Sequence, residues 1–294
     1  MRYTTPRKIR VMSQNMHQPC ADGFEALAAA VSKAQPDLLL LQQVDGLDGE
    51  LQLLQLKDLL GLEVAAGPIG GGGTNLVAWH RDAFTTPEAE VSEAQRLEEG
   101  FGYCAVQLSV PDIHHPHPLM AISCTLSRYS APRAAQQAQQ LGELAHRSGG
   151  LGLIAGGINH LPLGDQPPDW DALPGYRRMA LCKIRSSEDE PWSGDEQVAR
   201  VLASGGMTDV AARVADLAAA GRAAGLAISE YPKLRAPTVK QARGIRADQI
   251  HVTCALTTAI EAAWRPDQDV SGHHAVAVEL DLAKIYVMGL HTYV

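Results

Sequence analysis

Residues 150–163 read GLGLIAGGINHLPL, and this stretch decides how the rest of the chain is to be read. A glycine pair opens it, an apolar run through Leu151, Leu153, Ile154 and Ala155 follows, and a glycine-rich turn then presents Asn159 and His160. A short apolar run bounded by turn signals reads as a buried strand, and one that ends on polar side chains delivers them to an edge of its sheet. Alone, the stretch is equally an ordinary buried strand with an ordinary turn. Its neighbours decide the matter, because several other strands end the same way.

Working outward, residues 8–15 (KIRVMSQN) read as a strand that finishes on Asn15. Residues 38–41 are four leucines, as in a strand covered on both faces, and they run into Gln42 and Gln43. Further strands are expected at 74–80, 101–110, 120–126, 250–254 and 275–282, the last preceded by Ser271-Gly272-His273-His274. Apolar residues at helical spacing predict helices over 24–34, 51–60 (closed by Gly61), 132–146, 198–203 and 208–224. Residues 166–193, rich in proline and charge, read as a long surface excursion. No fixed-period repeat and no linker divides the chain, so residues 1–294 are expected to form one domain.

Two tempting motifs do not hold up. The glycine run 70–73 leads into a strand, whereas a phosphate cradle needs a following Lys-Ser/Thr and a helix start. His114, His115 and His117 sit among prolines and read as a polar loop rather than a metal cluster.

The chain has 294 residues, 46% of them hydrophobic and 20% charged, enough for a substantial core. Its net charge of −8 argues against a protein that grips nucleic acid across its whole surface. Local basic patches at Arg177-Arg178, Lys183, Arg185 and 233–246 read as solvated faces. Five cysteines, far apart and without metal-ligand spacing, point to reduced thiols. The first residues lack the apolar core of a signal peptide, and no run is long enough to span a membrane, so a cytoplasmic chain is expected. A homodimer is left open.

The polar strand ends, taken in order, resemble the endonuclease/exonuclease/phosphatase family, the fold of DNase I and the apurinic endonucleases. The first strand ends on Asn15, as in the family. The family's LQE motif is similar to Leu41-Gln42-Gln43, its His-Leu to Thr125-Leu126, and its GDFN to Gly156-Gly157-Ile158-Asn159. Its R-x-D-x-I strand start appears as Arg246-Ala-Asp248-Gln-Ile250, and its SDH as Ser271-Gly272-His273. The resemblance implies an α/β fold, a four-layer DNase I-like sandwich with its site at one end, that cleaves phosphate esters with Mg²⁺.

The departures fall on the residues that carry this chemistry. Gln43 replaces the metal-binding Glu, Gly157 the Asp of GDFN, Gly272 the Asp expected to orient the last His, and Thr125 the other His. Phosphoryl transfer needs hard anionic ligands for the metal and a carboxylate to orient water, and neutral amides supply neither. The expectation is therefore a site without metal or cofactor, unless Asp45, Asp165 or His160 act as displaced ligands in a metal-dependent phosphodiesterase or nuclease.

A pocket stripped of these charges suits a small organic substrate handled by one positioned acid or base. Candidate bases are His273, His160, His80 and Glu90. Substrate contacts are expected from Asn15, Gln43, Thr125, Asn159, His160 and Asp248. The segment AWHRDAFTTPEAE, with His80 and Glu90, also resembles actinobacterial Pictet–Spengler cyclases, which join tryptophan to an aldehyde through a Glu base and a nearby His; their helping arginine has no match upstream of His80. That resemblance implies Glu90 with His80 and a tryptophan-like amine as substrate; with His273 from the pocket reading, Glu90 and His80 make up the expected catalytic set. The competing expectation is a non-catalytic relative that binds a phosphate-bearing ligand or a partner.

Overall fold

The computed structural model of the chain describes residues 8–17, 23–47, 49–68, 73–86, 93–98, 101–110, 117–147, 149–219, 231–240 and 244–286. In chain order the main elements are β1 (Lys8–Asn15), α1 (Gly23–Ala34), β2 (Leu38–Val44), α2 (Glu50–Leu60), β3 (Glu63–Ala66) and β4 (Thr74–Trp79). Next come β5 (Glu93–Glu98), β6 (Phe101–Leu108), β7 (Leu119–Thr125), α3 (Ala131–Arg147), β8 (Gly152–Gly157), α4 (Gly175–Leu181), α5 (Gln197–Ser204) and β9 (Met207–Asp209). The series closes with α6 (Val210–Ala219), α7 (Tyr231–Leu234), β10 (Asp248–Thr253), α8 (Cys254–Thr257), β11 (Ile260–Trp264) and β12 (Val276–Asp281).

The strands form two six-stranded sheets, ordered β11-β12-β1-β2-β4-β3 and β5-β6-β7-β8-β10-β9. Alternation along each strand explains how they stack. Val11, Leu38, Leu40 and Val77 of the first sheet meet Ala121, Leu153, Ala155 and Ile250 of the second in one core. The opposite faces bury Met12, Leu39 and Leu41 under Leu27 and Val31 of α1 and Leu56 of α2. Ile122 and Ile154 lie under Ala138 and Leu141 of α3 and Val198 of α5. Strands with both faces covered need apolar residues throughout, which is why 38–41 is unbroken leucine. The result is the expected α/β sandwich of four layers.

Two details depart from the sequence reading. The helix expected over 208–224 starts only at Val210, because Met207–Asp209 pairs with β10 and the Asp209 carboxylate accepts from the Ala211 amide at 3.0 Å, capping α6. Residues 220–224 of that expectation lie outside the described residues. Cys254, expected at a strand end, is exposed at the start of α8, whereas Cys104, Cys124 and Cys182 are buried free thiols. Among the described residues no helix is long and apolar enough to cross a membrane.

The outer face of β10 carries a chain of buried polar groups. Gln249 Nε2 donates to the carbonyls of His160 (3.0 Å) and Arg246 (2.9 Å), so its Oε1 is left to accept from His251 Nε2 at 2.9 Å. Burial pushes the His251 pKa down to about 4, with Arg246 adding to the effect and Asp209 opposing it. An unfolded histidine takes its proton near 6.5, so between these values the unfolded state binds more protons. Stability contributed by neutral His251 is therefore complete above about pH 6.5 and declines as the pH falls towards about 4, by about 3 kcal/mol over the window. Thermal unfolding followed across that range should show the decline, and His251→Gln should flatten it. An identical slope in the variant would assign the pH dependence elsewhere.

Candidate active site

Register brings the polar strand ends to one edge. Parallel pairing sets Asn15 of β1 beside Gln42 of β2, and Thr125 of β7 beside Gly157 of β8. Antiparallel pairing sets Asp248, the first residue of β10, opposite Gly157, and β12 returns along β1 so that His273, just before it, reaches the same end. A bulge between Leu41 and Val44 breaks the β2–β4 ladder. Across it the two glutamines separate. Gln42 is fully buried and donates to Ser13 Oγ (3.2 Å) and Ser123 Oγ (3.0 Å), tying the sheets together. Gln43, at φ 53°, turns to line a cavity.

The centre of this edge is a buried carboxylate–imidazole pair. Asp248 Oδ2 lies 2.7 Å from His273 Nδ1, and Asp248 Oδ1 accepts from Asn15 Nδ2 at 3.3 Å. Asn15 in turn uses its Oδ1 to accept from the His17 amide at 2.9 Å. Ser271 Oγ donates to the Asn15 carbonyl at 2.5 Å, and the His273 amide donates back to Ser271 Oγ at 3.1 Å, so the imidazole is fixed at its backbone as well. This corrects one expectation. Gly272 does not cost His273 its orienting carboxylate, because Asp248 supplies it from the neighbouring sheet.

In front of the pair lies a cavity of about 420 Å³ whose wall includes Gln43, Thr125, Asn159 and His273. Thr125 is held by donating to Asn75 Oδ1 at 2.9 Å. Asn159 (φ 64°) donates to the carbonyls of Leu126 (2.9 Å) and Gly157 (3.0 Å), which leaves its side-chain oxygen for other partners. The far wall comes from α4, inside the segment read as a surface excursion. A further wall comes from Arg128 and Tyr129, beyond β7. The pocket, expected to be stripped of charge, thus carries the cationic side chains Arg128 and Arg177 on its wall.

His17 is one of the residues that sequence reasoning missed. It follows Asn15 by two positions, and its ring meets His273 edge-on, 6.2 Å between centroids and 78° between planes. Burial lowers its pKa, and the charges of Arg128 and His273 lower it further against a weaker pull from Asp45. The signal available was a histidine just past a strand end already singled out.

The other expected residues separate. His80 follows β4, whose Trp79 pairs with Leu38 at the start of β2, so it lies at the opposite end of the sheet from Gln43 and is exposed. Glu90 lies outside the described residues. His160 is buried, and its Nε2 donates to the Ser127 carbonyl at 2.8 Å; desolvation lowers its pKa, which keeps it a neutral structural residue behind the cavity wall.

The donor set does not suit the divalent metal that the fold implies. Gln43 is a neutral amide, both oxygens of Asp248 are engaged, and position 157 has no side chain. A Cβ built there would face Asn159 Nδ2 at 3.3 Å and Asn15 Nδ2 at 3.5 Å, so the space where a carboxylate would enter is ringed by amides. The proposed substitutes do not converge. Asp165 is bound by Arg235 (2.6 Å) and Arg246 (3.0 Å), His160 is turned away, and Asp45 is exposed. Among the described residues no three His, Cys, Asp or Glu side chains are grouped to hold a metal ion.

The two stacked sheets, with strand ends converging on a histidine, define the endonuclease/exonuclease/phosphatase (DNase I-like) fold. A humanized D. rerio TDP2 matches with TM-score 0.59 and 15% identity, covering 92% of this chain and 98% of that one. The human Nocturnin catalytic domain, solved with bound sulfate anion, matches with TM-score 0.60 and 14% identity over 92% and 93%. An endonuclease/exonuclease/phosphatase from Beutenbergia cavernae matches with TM-score 0.59 and 16% identity over 94% and 72%. At this identity the likeness is one of fold. No protein-family model and no curated protein matches the sequence.

Proposed function

We propose that this chain is a metal-independent enzyme that moves a proton on a small organic substrate through the Asp248–His273 pair. The observation that carries the reading is the pair's 2.7 Å contact at the cavity, beside positions 43 and 157, which offer an amide and no side chain. A carboxylate on Nδ1 fixes the tautomer and orientation of the ring and supports the imidazolium when it forms, leaving Nε2 to exchange a proton with the ligand. His17, close by and shifted towards its neutral form, is placed to act as the partner acid or base.

A Pictet–Spengler-type cyclisation is one reaction of this class. The amine and aldehyde condense with loss of water to an iminium, and the indole carbon attacks the iminium carbon to form the new C–C bond. The ring proton then leaves to His273 Nε2 as aromaticity returns. Holding the two reacting carbons together supplies much of the acceleration. His80, at the other end of β4, takes no part in this version.

The test is turnover of tryptophan with a small aldehyde, read by mass spectrometry with and without a chelator. Asp248→Asn and His273→Gln should each slow product formation by about a hundredfold, with binding retained and the chelator without effect. Loss of turnover in His80→Ala, but not in His273→Gln, would move the active site to the other end of the sheet. A gel shift with DNA at low salt separates the non-catalytic phosphate binder from the enzyme.

A further inference from the structure

The cavity wall has a feature that proton transfer alone does not use. Arg128 and Arg177 line it from two separate segments, each beside a tyrosine in the sequence, and among the described residues no Asp or Glu side chain lines it. In a chain with 33 acidic and 25 basic side chains, a wall whose described residues carry two arginines, two histidines and no acid is a concentrated positive region. Neighbouring arginines are otherwise occupied. Arg178 lies 3.6 Å from Asp171 and over the Trp192 ring at 5.2 Å, and Arg185 covers the same ring at 3.9 Å.

Among the described residues, neither Arg128 nor Arg177 is paired with a carboxylate. Arg128 donates to Tyr129 Oη at 2.9 Å and rests over that ring, a contact that orients the guanidinium without neutralising it. Asp248, hydrogen-bonded to Asn15 and His273, is not among the lining residues, and at His17 the charge of Arg128 outweighs that of Asp45. The same positive field is felt by His17, whose proton affinity Arg128 reduces. Tyr129 and Tyr176 are 63% and 74% exposed, large aromatic faces at the mouth of the cavity, and Leu181 and Ile245 give its wall apolar surface.

We infer that the substrate of this site is a small aromatic anion whose carboxylate or phosphate monoester is held by Arg128 and Arg177 while its ring occupies the tyrosine-lined part of the cavity. This rests on the acid/base reading for the word substrate, but the binding claim is tested without turnover. A planar guanidinium matches either group through paired charge-assisted hydrogen bonds.

Calorimetry with four probes decides it: 3-phenylpropionate, its uncharged amide, phenyl phosphate and inorganic phosphate. The carboxylate should bind at least about tenfold more tightly than the amide and lose affinity with added salt. Arg128→Gln and Arg177→Gln should each weaken it by on the order of tenfold to a hundredfold and leave the amide unchanged. Tighter binding of phenyl phosphate than of phenylpropionate would assign the phosphate source, and the reverse the carboxylate source. Equal affinity for amide and acid, or for inorganic phosphate and phenyl phosphate, would overturn the inference. Anion binding that depends on both arginines, in a protein whose His273→Gln variant keeps full turnover, would uphold it and discard the proton-transfer reading.

Discussion

Gln43→Glu together with Gly157→Asp should give this protein a divalent-metal site, tightening Mn²⁺ binding on the order of a thousandfold over wild type. The two substitutions act on different lacks. Gln43 already points into the cavity from the β2 bulge, so the change there adds a charge without moving the backbone. Position 157 lacks a side chain, but its backbone is one that an ordinary residue adopts, and the nearest atoms to a built Cβ are amide groups at 3.3–3.7 Å. The adjacent Gly156 could not substitute for it: at φ +142° its Cβ would stand 2.0 Å from the Cys124 carbonyl oxygen. Asn15 and Asn159, at the same edge, could complete an oxygen shell once two carboxylates offset the ion's desolvation. Either single change alone should fall well short, since one added charge does not make a hard-ion site. Titration with Mn²⁺ followed by calorimetry or paramagnetic resonance checks this. Equally tight binding would show that wild type already holds metal through other groups, and equally weak binding that positions 43 and 157 do not make the site.

The metal prediction depends on the part of the chain that was most legible. The leucine run 38–41, the SQN ending at Asn15 and the Gly156–Asn159 turn are local signals, each fixed by burial on both faces and by a turn, and the fold places them as they read. Strands β3, β5, β9 and β11 were not legible: β3, β9 and β11 have at most five residues and β5 reads EAQRLE, so pairing partners rather than their own apolar pattern make them strands. The site was half legible. Asn15, Gln43, Thr125, Asn159, Asp248 and His273 converge as their order implied, because a strand end announces itself in sequence. What did not announce itself was everything contributed across the cavity. His17 carries no motif, Arg128 lies in the connection after β7, and Tyr176 and Arg177 sit on α4, whose place depends on how 166–193 folds back, a long-range matter that spacing cannot encode. His80 shows the opposite failure, a polar strand end read correctly as such but on an antiparallel strand, which delivers it to the wrong end.

Arg246→Met should be the most damaging single substitution outside the cavity, costing about 3–5 kcal/mol and lowering the melting temperature by about 6–15 °C. Arg246 is 2% exposed and makes three charged contacts: Nε to Asp165 at 3.0 Å, Nη1 to Asp209 Oδ1 at 3.0 Å and Nη2 to Asp209 Oδ2 at 2.5 Å. Without it Asp165 keeps Arg235, but Asp209, its side chain 14% exposed, becomes a largely buried charge with no other ion-pair partner among the described residues. Burial alone would raise the Asp209 pKa; the charge and hydrogen bonds of Arg246 overcome that and bring it down to about 2. A depressed carboxylate contributes stability that is complete above its ordinary value of 3.8 and is lost as the pH falls towards 2, so wild type and variant should converge in strong acid. Arg246→Lys should fall between them, since an ammonium keeps the charge but not the fork. The consequence reaches the site through the backbone. Ala247 accepts from the Asn159 amide at 3.1 Å, and the amides of Ala247 and Asp248 both donate to Thr238 Oγ1, at 3.0 and 2.9 Å, so the anchored arginine fixes the strand start from which Asp248 meets His273. Reduced turnover at a temperature where the variant is still folded would show that coupling, and an unchanged melting temperature would mean that the surrounding core, not the ion network, carries this end of the sheet.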